Sequence, residues 1–133
     1  MPTFDNRIVG TWRLVASRSH NDAGEPMPQP YGPHPMGVVV FSTERRMICV
    51  LCDSRADLPA GETAREYNSY CGAYTFDGTT LVTRVDACSD PARMGSDQVR
   101  KVRFEGERLV LIPPSRPWQG RTQHRELFWE KVD

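Results

Sequence analysis

The sequence predicts an all-β chain whose eight antiparallel strands close into an up-and-down barrel, with one short helix. Short runs rich in Val, Ile, Thr, Tyr and Phe alternate with Gly, Pro, Asp and Asn throughout its 133 residues. Eight sequential strands joined mostly by short turns suffice to close a barrel that holds one small ligand. A chain of this length forms one core, so residues 1–133 are predicted to be a single domain.

The first strand is predicted from the alternation of Trp12, Leu14 and Ala16 with more polar neighbours. Residues 20–37 contain five prolines, which donate no ladder hydrogen bond, and are predicted to form a long loop. Polar residues 42–46 join two apolar runs as a hairpin. The eight predicted strands are residues 10–17, 37–41, 47–52, 70–76, 80–88, 97–105, 108–113 and 123–132.

The connections add the helix and the clearest turn. Residues 60–67, preceded by Pro59, are predicted to hold the short helix. Asp77-Gly78 favours a two-residue type I′ turn, because both central positions need positive φ. Such a turn sets Phe76 opposite Thr79. A β-sandwich of the same strands remains the alternative, because strand spacing alone does not separate it from a barrel.

Charge and hydropathy narrow the partners. The chain has 17 Lys and Arg against 17 Asp and Glu, so nothing draws it generally to nucleic acid or anionic lipid. No apolar run approaches a membrane span, and residues 1–6 lack the pattern of a signal peptide. We therefore expect a cytoplasmic protein with a small-molecule partner, with a homodimer kept open.

The four cysteines are expected to be free thiols. Cys49 and Cys52 form a C-x-x-C, but strand residues three apart point to opposite faces. Cys71 and Cys88 supply no second C-x-x-C, so no metal site is predicted. Without an export signal, disulfides are not expected.

Ordered motifs run along nearly the whole chain. They are Val9-Gly10-Thr11-Trp12-Arg13-Leu14-Val15, Tyr31-Gly32-Pro33-His34-Pro35-Met36-Gly37, Arg46-Met47, Gly72-Ala73-Tyr74-Thr75, Gly95-Ser96-Asp97-Gln98-Val99-Arg100, Arg108-Leu109-Val110-Leu111 and Leu127-Phe128-Trp129-Glu130. This series resembles the small bacterial and fungal lipocalin-like domain proteins of the calycin superfamily.

The resemblance implies a calycin barrel in which Trp12 plugs the closed end. It also implies small-molecule binding or cofactor-free conversion in secondary metabolism. Members that this chain looks like tend to carry histidines just before the acidic residue of the fifth strand. Here that stretch reads Thr83-Arg84-Val85-Asp86, which departs from any shared histidine chemistry.

Strand alternation predicts which side chains face inward. Tyr70, Tyr74 and Phe76 share the more apolar face of their hairpin with Leu81 and Thr83. On the next strand, the inward face carries Gln98, Arg100, Val102 and Phe104.

An inward guanidinium is costly without a partner. One candidate partner of Arg100 is Asp86, but the hairpin points Asp86 outward with Arg84 unless a bulge intervenes. The other is an anionic or carbonyl ligand, oriented by the hydroxyls of Tyr70, Tyr74 and Thr83. A third outcome is that Arg100 reaches out of the barrel mouth to solvent or to a loop carboxylate.

The histidines add one further candidate site residue. His34 lies in the Pro-rich loop expected to cover the open end, where it would suit acid-base work near neutral pH. No phosphate-binding loop, nucleophile elbow, H-E-x-x-H or dinucleotide fingerprint occurs in the sequence. No cofactor is therefore predicted.

Three functions remain open. The first is binding of a small, partly apolar molecule with an acid or carbonyl group, for which the predicted ligand-binding residues are Tyr70, Thr83, Arg84, Gln98, Val102 and Phe104. The second is a cofactor-free isomerase, cyclase or dehydratase, with Arg100, Asp86, Tyr74 and His34 as catalytic candidates. The third is a structural or partner-binding domain with a filled interior.

Overall fold

The computed structural model describes residues 4–28, 31–58, 60–61, 67–118 and 120–132. Nine strands lie within these ranges: β1 Gly10–His20, β2 Pro35–Phe41, β3 Arg46–Asp53, β4 Tyr67–Phe76, β5 Thr80–Cys88, β6 Asp97–Glu105, β7 Arg108–Ile112, β8 Arg116–Trp118 and β9 Arg121–Lys131. Two single-turn 3₁₀ helices, Asn6–Ile8 and Pro91–Arg93, complete the described elements. The predicted helix falls mainly on residues 62–66, outside the described part of the chain.

Strands β1–β7 and β9 form a closed antiparallel barrel, as predicted. Each pairs with the next along the chain, β7 pairs with β9, and β9 pairs back with β1. The sandwich alternative is wrong, because this continuous ring leaves no division between two sheets. No helix among the described residues has the length and apolar character needed to cross a membrane.

Strand β8 lies between the last two predicted strands, in a segment where Pro113, Pro114, Pro117 and Gly120 predict a loop instead. Its three residues pair only with the start of β9, Arg116 with Gln123 and Trp118 with Arg121. Pro117 is tolerated because β8 lies at the edge of the sheet, where a missing N–H breaks no second ladder.

The hairpin of β4 and β5 keeps its predicted faces but not its predicted turn. Phe76 pairs with Leu81 and Tyr74 with Thr83, two residues beyond the predicted register. The Asp77 carboxylate accepts hydrogen bonds from the backbone N–H of Thr79 (2.9 Å) and Thr80 (2.8 Å), which widens the connection. Because side chains alternate with a period of two, a shift of two leaves the inward set unchanged.

A bulge in β1 changes which side chains face inward. The pairing with β9 shifts register between Leu14 and Ala16. Trp12 and Leu14 are buried before the bulge, whereas beyond it Ser19 is the buried residue. The bulge therefore brings serines, rather than a continued apolar alternation, to the end of the barrel away from Trp12.

Trp12 lies at one end of the barrel and is only 3% exposed. Its indole N–H donates to the carbonyl of Ile8 at 2.8 Å, so the 3₁₀ turn at Asn6–Ile8 is fixed beneath the barrel. The ammonium of Lys131 lies 5.1 Å from the indole centroid. We call this region the closed end; buried aromatic and aliphatic side chains from all parts of the barrel pack above it.

Candidate ligand-binding site

The half of the barrel away from Trp12 has a polar interior, in contrast to the closed end. We call it the open half and define it by the inward side chains of Tyr70, Gln98, Arg100 and Arg125. Register sets this polarity, because in the β1–β9 ladder Trp12 pairs with Lys131 at one end and Ser19 with Arg125 at the other.

Arg100 points inward from β6, as alternation predicts, and is half-buried. Its Nη1 donates to the carbonyl of Val99 at 3.0 Å. Burial lowers the pKa of the guanidinium, and the positive charge of Arg93 lowers it further. The protein therefore keeps a cation in an environment that disfavours it.

Tyr70 and Cys49 lie side by side in the open half, since they are paired residues on β4 and β3. Burial raises the pKa of the Cys49 thiol to about 12 and raises the pKa of Tyr70 well above its usual value. Both groups stay protonated near neutral pH. The hydroxyl of Tyr70 also lies near the amide of Gln98, although that amide makes no hydrogen bond of good geometry within the described residues.

Arg93 reaches the same region from the 3₁₀ turn between β5 and β6. Its guanidinium carbon lies 5.2 Å from the ring centroid of Tyr70. Its Nη1 donates to the side-chain oxygen of Asn68 at 3.0 Å. These two contacts hold the guanidinium over the aromatic ring, the arrangement of a cation–π interaction.

Arg125 and Arg116 add two further guanidiniums. Burial lowers the pKa of Arg125 to about 10, and the charges of Arg116 and Arg100 act in the same direction. Arg116 comes from β8, and its Nε donates to Oε1 of Gln123 at 2.7 Å. Gln123 is fully buried and donates in turn to the carbonyl of Pro28 at 3.2 Å, which ties the Pro-rich loop to β9.

None of these four arginines has a carboxylate within ion-pair distance among the described residues. Elsewhere in the chain, arginines commonly pair, as Arg55 does with the buried Asp53. The open half therefore carries a positive charge that the described protein groups do not neutralise. In a low-dielectric interior, such a field favours an anion.

Unsatisfied polar atoms collect in the same place. Of the five buried side-chain N or O atoms without a hydrogen-bond partner among the described residues, four lie here: Arg93 Nη2, Gln98 Nε2, Gln98 Oε1 and Arg125 Nε. The fifth is the indole nitrogen of Trp129. A buried polar atom without a partner is costly, so a cluster of four suggests groups that await a ligand.

A small recess leads into this region. It is lined by Ser17, Ser19, Tyr31, Arg125 and Leu127, together with Arg18, and its cavity volume is about 10 Å³. That is room for about one water molecule. A larger ligand would have to displace the long arginine side chains at the mouth. Arginine side chains can move in this way because they have several rotatable bonds.

Most of the predicted ligand-binding residues face the interior. Tyr70, Thr83 and Gln98 are buried, and Thr83 pairs with Gln98 across β5 and β6. Val102 and Phe104 continue the inward face of β6 towards the closed end, where the Phe104 ring contacts that of Phe76 at 6.2 Å between centroids.

Tyr74 belongs to the closed end rather than to the open half. Its hydroxyl donates to the carbonyl of Ser42 at 2.8 Å. Its ring packs against Phe41 and Phe4, with 5.1 and 5.6 Å between centroids. The structure does not bring Tyr74 together with Arg100, because the one polar group of the Tyr74 side chain, its hydroxyl, is engaged at the closed end.

Asp86 and Arg84 are exposed on the outside of the barrel. Asp86 forms an ion pair with Arg46, and Arg84 forms one with Asp97 at 3.2 Å. A bulge does occur, since Gly72 pairs with Val85 and Cys71 with Ala87, but it leaves Asp86 outside. Both side chains point outward, as the hairpin alternation predicts, so the structure does not bring Arg84 or Asp86 to the barrel interior.

The close approach at Gly72 explains the bulge. A Cβ atom built at Gly72 would lie 1.9 Å from the carbonyl oxygen of Arg84. Only a residue without a side chain lets β5 come this near to β4. The extra residue of the bulge, Asp86, is accommodated next to this point.

His34 is exposed in the loop that leads into β2. Its backbone carbonyl accepts a hydrogen bond from the hydroxyl of Ser54. The imidazole lies at the surface, and its place over the open end stays a prediction. His20 and His124 stack on each other at 5.3 Å, and His124 lies 2.7 Å from a carboxylate oxygen of Asp22.

The sequence patterns did not predict Arg93, Arg116 and Arg125 as site residues. Alternation carried a signal for Arg125, since it lies two residues before Leu127 and four before the buried Trp129 on one strand. Arg93 comes from a connecting turn, which has no period to follow. Arg116 precedes Pro117 in a segment that the prolines predict to be a loop.

The cysteines are free, as expected, in the described structure. No group of three or more metal-ligating side chains occurs among the described residues. The chemistry of the open half is thus that of guanidinium, amide, phenol and thiol groups.

A family model described as a lipocalin-like domain matches residues 9–132. The solution structure of a lipocalin, the product of the Q83 gene whose expression the myc oncogene activates in cell transformation, is similar at 16% identity. That alignment covers 99% of this chain and 75% of that chain, with a TM-score of 0.49. Among curated proteins, none matches. The family match spans almost the entire barrel, and the chain therefore belongs to the lipocalin-like domain family.

Proposed function

We propose that the chain binds a small, partly apolar organic anion in the open half of its barrel. The observation that carries this proposal is Arg100, an inward guanidinium on β6 with no carboxylate partner among the described residues. Burying a charge without a partner costs several kcal/mol, on the order seen when one member of a buried ion pair is removed. An anionic ligand group would supply the missing partner.

The surroundings of Arg100 suit such a ligand. Tyr70 and Gln98 offer polar groups, whereas Val102 and Leu111 form an apolar wall next to them, being paired residues on β6 and β7. Small-molecule sites combine an apolar lining with a few placed polar groups that fix orientation. A molecule with an acid group and an apolar portion fits both parts.

The position of Asp86 supports binding rather than acid-base conversion. An isomerase, cyclase or dehydratase needs a proton acceptor within hydrogen-bond reach of its substrate. Asp86 is paired with Arg46 outside, and His34 lies at the surface. Inside, Cys49 and Tyr70 hold their protons because burial raises the pKa of each.

The test uses two fluorescent probes that differ by one charge, 8-anilinonaphthalene-1-sulfonate and the neutral N-phenyl-1-naphthylamine. We expect the wild type to bind the sulfonate saturably and Arg100→Ala to weaken that binding about tenfold or more, as loss of a charge-assisted contact does. The neutral probe should bind both proteins alike.

The matched control is Arg84→Ala, which removes an exposed guanidinium from the outer face. It should leave sulfonate affinity unchanged, and circular dichroism should show the barrel in both variants. Equal sulfonate affinity of wild type and Arg100→Ala would remove Arg100 from the site, and absence of saturable binding to the wild type would contradict the proposal as a whole.

A further inference from the structure

The open half holds more positive charge than one carboxylate can neutralise. Four guanidiniums contribute to it from four different elements: Arg93 from the turn after β5, Arg100 from β6, Arg116 from β8 and Arg125 from β9. They influence one another directly, since the charges of the others lower the pKa of Arg125 and that of Arg93 lowers the pKa of Arg100. Like charges are thus held together although they repel.

The four arginines are not equally available to a ligand. Arg116 is already engaged, with its Nε on Gln123 at 2.7 Å and its guanidinium carbon 5.2 Å from the ring centroid of Trp118. Arg93 and Arg125 each retain a buried N–H group without a partner among the described residues. Arg100 donates one hydrogen bond, from Nη1 to a backbone carbonyl of its own strand. The other N–H groups of its guanidinium are left to contact a ligand.

We infer that the ligand head carries at least two negative charges on a tetrahedral group, as a phosphate monoester does, and lies between Arg93, Arg100 and Arg125. This inference rests on the proposed function and deepens it. Its geometric basis is that three guanidiniums lie in one half of the barrel and that two of them, Arg93 over the Tyr70 ring and Arg125, keep a buried N–H group without a partner among the described residues.

The number of acceptor atoms favours this class of head group. A carboxylate has two oxygens and one negative charge, and a single bidentate arginine can neutralise that charge. A phosphate monoester presents three strong acceptor oxygens and about two negative charges near pH 7. Three oxygens can accept from three guanidiniums that approach from one turn and two strands, and two charges offset more of their mutual repulsion.

Gln98 adds a second element of selectivity. Both its amide nitrogen and its amide oxygen are buried without a partner among the described residues. A group that both donates and accepts, such as a hydroxyl or an amide, would satisfy the pair. We therefore place such a neutral polar group next to the charged head, on the side of β6.

The test compares phenyl phosphate with phenyl sulfate by isothermal titration calorimetry. The two have the same ring and the same tetrahedral ester head, but at pH 8 the phosphate carries about two charges and the sulfate one. We expect the wild type to bind phenyl phosphate about tenfold or more tightly than phenyl sulfate. At pH 5, where the phosphate is largely a monoanion, the difference should shrink to about twofold or less.

Two variants test which arginines contact the second negative charge of phenyl phosphate. Arg93→Gln and Arg125→Gln should each weaken phenyl phosphate more than phenyl sulfate and so narrow the preference, whereas the outer-face control Arg84→Gln should keep it. Thermal unfolding shows whether each variant still folds; because the two arginines lie on separate elements, failure of one variant to fold leaves the other as the test.

The outcomes separate this inference from the proposed function. Equal affinity of the wild type for the two esters overturns the dianionic head and leaves anion binding in force. A preference for phenyl phosphate over phenyl sulfate that is unchanged in both folded variants also overturns it. In that case neither Arg93 nor Arg125 would contact the second negative charge of the phosphate. No binding of either ester, together with no saturable binding of the naphthalene sulfonate, overturns both.

Discussion

The guanidinium of Arg93 lies over the ring of Tyr70, with 5.2 Å between the guanidinium carbon and the ring centroid. The arginine comes from the turn after β5 and the tyrosine from the inward face of β4, so the contact joins a loop to the barrel interior. Cys49 and Gln98 are the polar neighbours of the Tyr70 hydroxyl. A cation therefore caps a buried set of neutral polar groups, and much of the behaviour predicted below follows from that arrangement.

Replacing Arg125 with methionine should stabilise the ligand-free protein. Arg125→Met keeps an unbranched stem that ends near the position of Nε, and it removes a half-buried charge that the neighbouring arginines disfavour. Exchange of a buried charge for an apolar group of similar shape is often stabilising, here by about 1 kcal/mol or more in the free energy of unfolding from urea titration. The same variant should bind the naphthalene sulfonate more weakly.

The control for that prediction is Arg84→Met, whose side chain is 63% exposed in the wild type. It should change the free energy of unfolding by no more than about 0.5 kcal/mol. If Arg125→Met were less stable than Arg84→Met, the charge of Arg125 would be satisfied in the folded protein.

Replacing each of the two inward tyrosines with phenylalanine should distinguish the one that stabilises the fold from the one that affects ligand binding. Tyr74→Phe loses the hydrogen bond to the Ser42 carbonyl and should cost about 1 kcal/mol of stability. Its sulfonate affinity should equal that of the wild type, because the hydroxyl lies at the closed end. Tyr70→Phe should alter sulfonate affinity several-fold, and an affinity loss confined to Tyr74→Phe would reverse this assignment.

Trp12 should be a major source of stability. Trp12→Ala removes a buried aromatic ring and its bond to Ile8, and should lower the free energy of unfolding by about 3–5 kcal/mol. Trp118→Ala, on the edge strand β8, should cost less than half as much. A loss below about 1 kcal/mol for Trp12→Ala would count against its role as the plug of the closed end.

Cys49 should make the protein lose stability in alkali. Its pKa is about 12 in the folded protein and near 9 when unfolded, so above pH 9 the unfolded thiol loses its proton while the folded one keeps it. The unfolded state then binds fewer protons, and stability falls with rising pH until the folded pKa is reached.

Urea titrations at pH 8 and pH 10 test this directly. Between these two values the wild type should lose about 1.4 kcal/mol more than Cys49→Ala. Cys71→Ala, which removes a half-buried cysteine elsewhere and keeps Cys49, should lose as much as the wild type. Equal losses of unfolding free energy in the wild type and in Cys49→Ala would show that the fold does not raise the pKa of the Cys49 thiol.

Period-two alternation was enough to predict most of the barrel and part of its site. It put Gln98 and Arg100 on the inward face of β6 from sequence alone, and the structure agrees. It also kept the inward set of the β4–β5 hairpin correct when the turn itself was wrong, because the register differs by two residues. Face assignments are therefore more robust than turn assignments in this chain.

What alternation could not supply were features outside its period. The β1 bulge resets which side chains face inward, and the Gly72 contact with Arg84 that shapes β5 is a long-range approach of two backbones. Arg93 enters the site from a turn, where no pattern predicts direction. These three features set the polarity of the open half. Its full set of arginines could therefore be identified only from the structure.

The most direct test of anion binding in the barrel is the ¹H–¹⁵N spectrum of the arginine Nε–Hε groups during titration with 8-anilinonaphthalene-1-sulfonate. We predict that the signals of Arg93, Arg100 and Arg125 shift together along one saturation curve, while those of the exposed Arg13 and Arg84 stay fixed. Saturable binding with no shift at Arg100, or with shifts confined to the exposed arginines, would contradict the account.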